Sequence, residues 1–278
     1  MVNDELVSFV IPCFNDSQFI EQSISSALNQ TYPHIEIIVV DDGSNEQTKA
    51  VLKKLESRVT KLITQENQGQ SKARNVGIKE AKGKYIVTLD SDDFFEPTFC
   101  EKAVVIFQQN KSVKIVTCQA NLIFDKADTY VFIPYGGVIS NFLNHNDALG
   151  TSMYKKADWE FCDGYDVSMR QGFEDWEFFI RILENGGIAE VIQEPLYNYR
   201  KRNDSTTNKA NSIKYELLSY IYNKHQELYK NHFESFVSHL LSRIEKEEIE
   251  KIKNTQRIEF QVGKIVLKPF RWIKNLLK

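Results

Sequence analysis

The chain has 278 residues, enough for one large domain or one domain with an appendage. Its 42% hydrophobic content supplies a core, and a net charge of -3 argues against general nucleic-acid binding. Asp4, Glu5, Asp16 and Glu21 leave no apolar stretch for a signal peptide, and no apolar run reaches the ~20 residues that span a bilayer.

The first hundred residues alternate short apolar runs with amphipathic segments. Residues 8–12 read as a strand, Asn15-Asp16-Ser17 as a helix cap, and Phe19, Ile20, Ile24, Ala27 and Leu28 as one helical face. Residues 36–40 form a second, β-branched strand suited to burial on both faces, ended by Asp41-Asp42-Gly43-Ser44. A helix over 46–55, a strand at 62–64 and a helix from Asn67-Gln68-Gly69 to about Lys82-Gly83 follow. A fourth strand, 85–89, ends in Asp90-Ser91-Asp92-Asp93, and Glu96-Pro97 is placed to start the next helix. Strand–helix alternation implies a mainly parallel sheet with helices on both faces, and such sheets bind ligands at the carboxyl ends of their strands. Both acidic clusters fall at that edge.

Three carboxylates within four residues repel by roughly 4 kcal/mol per pair at 4 Å and intermediate dielectric. In a cleft that cluster calls for a cation, and hard oxygen ligands suit Mg²⁺ or Mn²⁺, which complete their shell with substrate phosphates. Taken alone, the same run also reads as a solvated turn before a helix. Cys13, Cys100, Cys118 and Cys162 lack zinc-site spacing and read as small buried hydrophobes.

The middle is less regular. Residues 115–118 and 130–133 read as strands, with Gly136-Gly137 a loop. Glu174-Asp175 opens a helix that Gly186-Gly187 stops, and two carboxylates in a first turn also suit the helix dipole. Residues 195–199 read as an edge strand leading into the basic stretch Arg200-Lys201-Arg202-Asn203-Asp204-Ser205. From about 212 the pattern is helical and charged. Val262, Val266, Phe270, Ile273 and Leu277 share one face of the last helix, Lys264, Lys268, Arg271, Lys274 and Lys278 the other, with Trp272 at the flank. That pattern predicts an interfacial helix on an anionic membrane surface, kinked at Pro269, in preference to a helix docked on the protein's own core.

The chain resembles the family 2 glycosyltransferases over roughly residues 6–205. The matching motifs, in order, are Val10-Ile11-Pro12-Cys13-Phe14-Asn15, Ile38-Val39-Val40-Asp41-Asp42-Gly43-Ser44, Asn67-Gln68-Gly69 with Ala73-Arg74-Asn75, Gly83-Lys84-Tyr85-Ile86 with Asp90-Ser91-Asp92, Gly164-Tyr165-Asp166, Glu174-Asp175-Trp176 and Tyr199-Arg200. Each is weak alone, and the ordered set is specific. The resemblance implies a glycosyltransferase A (Rossmann-like) mixed, mainly parallel α/β fold at 1–205, with a nucleotide-binding half to about 118 and an acceptor-side half over 119–205; residues 206–278, which it does not cover, read from their charged helical pattern as a helical appendage.

It also implies inverting transfer of a sugar from a nucleotide-diphosphate donor, a UDP-sugar by preference, to a glycan or lipid-linked hydroxyl, in surface-polysaccharide or lipooligosaccharide synthesis. The basic amphipathic last helix, and not the resemblance, predicts the place: cytoplasmic, peripheral at the inner membrane face. By the same resemblance Asp42 accepts from the uracil imide, Pro12, Phe14 and Asn15 line the base and ribose pocket, and Arg74 lies near the nucleotide or diphosphate. Asp90 and Ser91 contact the ribose side, Asp92 is the direct metal ligand for Mn²⁺ or Mg²⁺, and Asp93 supports the site. Asp175 is the catalytic base with Glu174 beside it, and Arg200 and Arg202 steady the departing diphosphate. A histidine that the family often places near here is absent between His145 and His225. The other readings are a non-catalytic sugar-nucleotide-binding or scaffold protein of the same fold, and more remotely a nucleotidyltransferase. The latter is disfavoured by the glycine-free loop after the first strand.

Overall fold

The structure, a computed structural model, describes residues 5–124, 129–202 and 206–276, with backbone alone at 129 and 268–276. Its strands are β1 (Val7–Cys13), β2 (Ile35–Asp42), β3 (Lys61–Gln65), β4 (Tyr85–Thr88), β5 (Phe94–Phe95), β6 (Val113–Ile123), β7 (Thr129–Phe132), β8 (Met153–Lys155) and β9 (Ile188–Arg200). They form one sheet in the order β3-β2-β1-β4-β8-β6-β9-β5, with β7 beside β6. The first four are mutually parallel, β6 and β9 are parallel, and β8 runs antiparallel to both β4 and β6. The expected α/β class holds, as a mixed and mainly parallel sheet.

The helices α1 (Ile20–Leu28), α2 (Glu46–Leu55), α3 (Gln70–Glu80) and α4 (Phe99–Gln109) alternate with the early strands, as the pattern predicts. Alternate residues of β1 and β2 serve opposite faces. Phe9, Ile11, Ile37 and Val39 join Ile24, Ala27, Leu52, Phe95, Phe99 and Phe107 in the main core. On the other face Gly77 lets α3 lie directly on the sheet: a Cβ there would stand 2.4 Å from Val10 Cγ1. That close approach carries the first turn of α3 to the carboxyl ends of β1, β2 and β4.

Four local expectations are corrected. Leu28 ends α1 and is 46% exposed. Helix α1 begins only at Ile20, with no side-chain cap, so Asn15 and Asp16 are released for other partners. Pro97 precedes α4 instead of opening it, because Phe94–Phe95 pair with β9 first. For the same reason β9 is flanked on both sides and is no edge strand. Short elements without a periodic pattern, α5 (Ile139–Phe142), β8 and α6 (Lys156–Phe161), went unpredicted. The four cysteines are free, three buried and Cys162 half-buried.

After α7 (Glu174–Leu183) and β9 come α8 (Thr206–Ser212), α9 (Lys214–Lys224), α10 (Gln226–Asn231), α11 (Phe233–Gln256) and α12 (Ile258–Leu276). The chain divides into compact units after Leu228. Ion pairs tie α9 to the first unit: Lys224 reaches Asp166 at 2.5 Å and Glu177 at 2.8 Å, and His225 Nε2 lies 3.0 Å from Glu177. The second unit, 229–278, is helical, and α11 has no buried residue. No helix among the described residues is long and apolar enough to cross a membrane. Helix α12 runs on through position 269, and Val262 and Val266 are exposed. The remaining apolar stripe (Phe270, Ile273, Leu277), Trp272 and the basic Lys268, Arg271, Lys274 and Lys278 lie outside the described side chains, and Asn203, Asp204 and Ser205 outside the described residues.

Candidate functional site

The carboxyl ends of β1, β2 and β4 bring the predicted residues to one edge. At β1, Pro12 is buried in the strand and Phe14 is 49% exposed just beyond it. Asn15 takes a left-handed backbone (φ 61°) and ties two strand ends together: its N–H donates to Ser44 Oγ at 3.1 Å and its Oδ1 accepts from the Asn45 N–H at 2.7 Å. Asp42, 3% exposed, accepts from Gln65 Nε2 (2.7 Å) and from the N–H groups of Gln68 (2.8 Å) and Gly69 (2.9 Å). A carboxylate has about four acceptor sites, so roughly one remains for a ligand donor.

The acidic run at β4 divides by environment. Asp93 is fully buried, accepting from Tyr197 Oη at 2.5 Å and from the Arg200 N–H at 2.7 Å. Burial, with Asp92 and Asp90 nearby, holds its carboxyl well above the usual range. It clamps the end of β4 to β9. Ser91 Oγ donates to Asp16 Oδ2 at 2.5 Å. Asp92 stays half-buried and pairs with Arg202 at 3.1 Å, as Asp16 does at 2.9 Å. Burial first, then repulsion from Asp90 and Asp16, lifts Asp92 to about 6 against the pull of Arg202.

Arg74, expected near the nucleotide or diphosphate, is 2% exposed, and its guanidinium bridges Asp90 Oδ1 (2.8 Å) and Glu174 Oε1 (2.7 Å) over the Tyr165 ring. Burial disfavours its charge, but the two carboxylates outweigh that and raise its pKa. Gln70 Nε2 also donates to Asp90, at 3.0 Å. Arg74 therefore joins the β4 end to the start of α7.

Phe173, the residue before that helix, has φ 62°, a left-handed conformation that costs a bulky residue about 1–3 kcal/mol. Phe173 itself supplies no side-chain cap, while Asp175 accepts from the Trp176 N–H and its own, and Glu174 from its own, at the first turn. Glu174 is buried against Arg74, and burial lifts it to about 7, with Arg74 opposing and Asp175 assisting. Asp175 is half-buried, and burial raises its carboxyl too. Its Oδ2 accepts from Asn146 Nδ2 at 2.9 Å. Arg200 is held between the rings of Phe19 and Phe94, each 4.9 Å away, while Nη1 donates to the Asp92 carbonyl and Nη2 to Gln22 Oε1. Both expected phosphate-facing arginines thus brace the acidic loop.

Asp16, Gln70, Asn146 and Tyr165 are the site residues that the sequence did not single out. Asp16 was visible only as a cap candidate, Tyr165 only within a motif, and the other two carry no local signal. Among the described residues no group of three or more His, Cys, Asp or Glu converges to hold a metal ion.

Residues 8–132 match the family described as glycosyl transferase family 2. An uncharacterized glycosyltransferase of Haemophilus influenzae is 28% identical over 253 residues, spanning 81% of this chain and 76% of that protein. A putative teichuronic acid biosynthesis glycosyltransferase, TuaG of Bacillus subtilis, is 29% identical over 217 residues, 75% and 84% of the two chains. Among solved structures, S. aureus TarS 1–349 in complex with UDP-GlcNAc superposes with a TM-score of 0.63 at 20% identity, over 74% of this chain and 61% of that one, which shows a common fold.

Proposed function

We propose that the chain is a family 2 glycosyltransferase, the family that residues 8–132 match, and that it moves a sugar, with inversion, from a UDP-sugar to a hydroxyl of a growing surface glycan. The observation that carries this reading is the Asp90–Arg74–Glu174 bridge, which ties the acidic loop of the nucleotide side to the helix turn bearing Asp175. A donor on one side and a base on the other is the arrangement that inverting displacement requires. Asp175 takes the proton of the acceptor hydroxyl while that oxygen bonds the anomeric carbon and the bond to the diphosphate breaks. Burial raises its basicity for that task.

Asp42 keeps about one acceptor site for a base with an N–H edge, and the TarS complex contains UDP-GlcNAc, which supports a uridine donor. The donor set also fits a divalent ion. Asp92, repelled by Asp90 and Asp16, offers one hard oxygen ligand, and Mg²⁺ or Mn²⁺ commonly binds through one or two carboxylates plus substrate phosphates. Such an ion would supply Lewis-acid stabilisation of the leaving diphosphate. Arg202 would then exchange Asp92 for phosphate oxygens. The relative TuaG, by its name, serves teichuronic acid synthesis; a lipid-linked acceptor at an anionic membrane surface is the corresponding proposal here, supported by the basic residues of the last helix.

The test incubates the protein with a panel of UDP-, GDP- and dTDP-sugars, Mn²⁺ and a lipid-linked saccharide, and measures nucleotide release and product mass. Release of UDP with glycan product is expected, together with sedimentation on vesicles containing anionic lipid. Binding of UDP-sugar without product would return the chain to a sugar-nucleotide-binding module.

A further inference from the structure

Asp175 sits in a seat built by residues far from it in sequence. Asn146 donates to Oδ2 at 2.9 Å, and Gly150 lies directly beneath: a Cβ there would come within 2.7 Å of the same oxygen and 3.3 Å of Asp175 Cβ. Three strands or strand-flanking loops fix the segment that carries both residues. The Asp147 carbonyl accepts from the Gly136 N–H (2.9 Å), the Leu149 N–H donates to Thr117 Oγ1 on β6 (3.1 Å), and the Gly150 carbonyl accepts from Thr88 Oγ1 at the end of β4 (2.9 Å). A polar side chain held this firmly and aimed at one carboxylate oxygen is suited to orienting it. Asn146 Oδ1 is buried with no donor among the described residues, so the amide is not explained as an internally satisfied packing group.

We propose that Asn146 is a positioning residue for Asp175, its amide holding the carboxylate in the space that Gly150 leaves open and favouring its ionised form. This rests on the reading of Asp175 as the base. The groups whose charge Asp175 senses are Arg74 from α3, Asp90 from the end of β4, Glu174 beside it on α7 and Tyr165 from the loop after α6. Arg74 is the cation among them. Asn146 adds a neutral donor at Asp175 Oδ2, and a hydrogen bond to the charged form lowers a carboxyl's pKa.

The experiment titrates protein labelled with ¹³Cγ-aspartate by NMR, the Asp175 resonance being the one lost in Asp175→Asn. In Asn146→Ala the Asp175 midpoint rises by roughly one pH unit, and in Asn146→Ser, whose hydroxyl can donate, it returns part of the way. The acidic limb of the pH–rate profile for UDP release moves up with it, since the base must be ionised. Gly150→Ala displaces the same resonance through steric contact alone. A midpoint unchanged in Asn146→Ala, with the fold intact by circular dichroism, overturns the proposal. If the midpoint rises but Asp175→Asn keeps full sugar transfer, the seat stands and the base assignment falls. Should Asn146→Ala fail to fold, the comparison of Asn146→Ser with the parent carries the same decision.

Discussion

Glu174 and Glu177 stand three residues apart on α7, both buried, yet their acidities run in opposite directions. Burial lifts Glu174 to about 7, because its one cation, Arg74, is shared with Asp90 and a second carboxylate, Asp175, lies next in sequence. Glu177 feels burial as well, but hydrogen bonds from His225, Arg181 and Lys224 bring it down to about 2. The number of donors per carboxylate decides the sign. Along this one face of the helix the Glu177 side is scaffold, over-supplied with cations, and the Glu174 side, the proposed site, is held short of them.

The largest test of that contrast is Asp175→Asn, which removes the proposed base and leaves the scaffold side alone. UDP release should fall by about 10²–10⁴-fold, with UDP binding by calorimetry unchanged. Next is Arg74→Met, which strips the site side of its cation and leaves two carboxylates unpaired; a loss of about 3–5 kcal/mol is expected in urea unfolding. That loss should shrink toward pH 5, as Glu174 becomes neutral below its raised pKa.

The two glutamates should also pull the pH–stability curve in opposite directions. A depressed carboxyl contributes stability above its unfolded pKa and loses it as pH falls through the folded value. Glu177 thus accounts for about 3 kcal/mol lost between pH 4.5 and 2, and Glu177→Gln should flatten that acid limb in thermal melts. A raised carboxyl does the reverse, so Glu174→Gln should flatten the decline between pH 4.5 and 7. Parallel responses of the two variants would break the comparison. The smallest effect belongs to Asn45→Ala, which removes the α2 cap, where Asn45 Oδ1 accepts from the Thr48 N–H at 2.9 Å. About 1 kcal/mol should go, with no change in either glutamate.

Much of this was legible locally. The β-branched run before Asp41-Asp42, the helix over 46–55 and the strand ending at Asp90 obey rules that act within a few residues, so their placement held. Leu28 misled because an apolar residue at a helix end is free to face water. The 195–199 segment misled because its second neighbour, Phe94–Phe95, is too short to announce itself as a strand. The partners of Asp93, Tyr197 and Arg200, lie about a hundred positions away and could not be named from the sequence.

The sequence by itself determined the fold class and the edge where acidic residues gather, since strand ends and ordered motifs are properties of neighbouring residues. What only the tertiary structure decided is who neutralises whom. Arg74 reaches Glu174 across 100 positions and Asp90 across 16, Asn146 reaches Asp175 across 29, and α9 joins the sheet unit through Lys224. A carboxylate's acidity depends on burial and on the cations within a few ångströms, and neither is a property of the chain until it has folded.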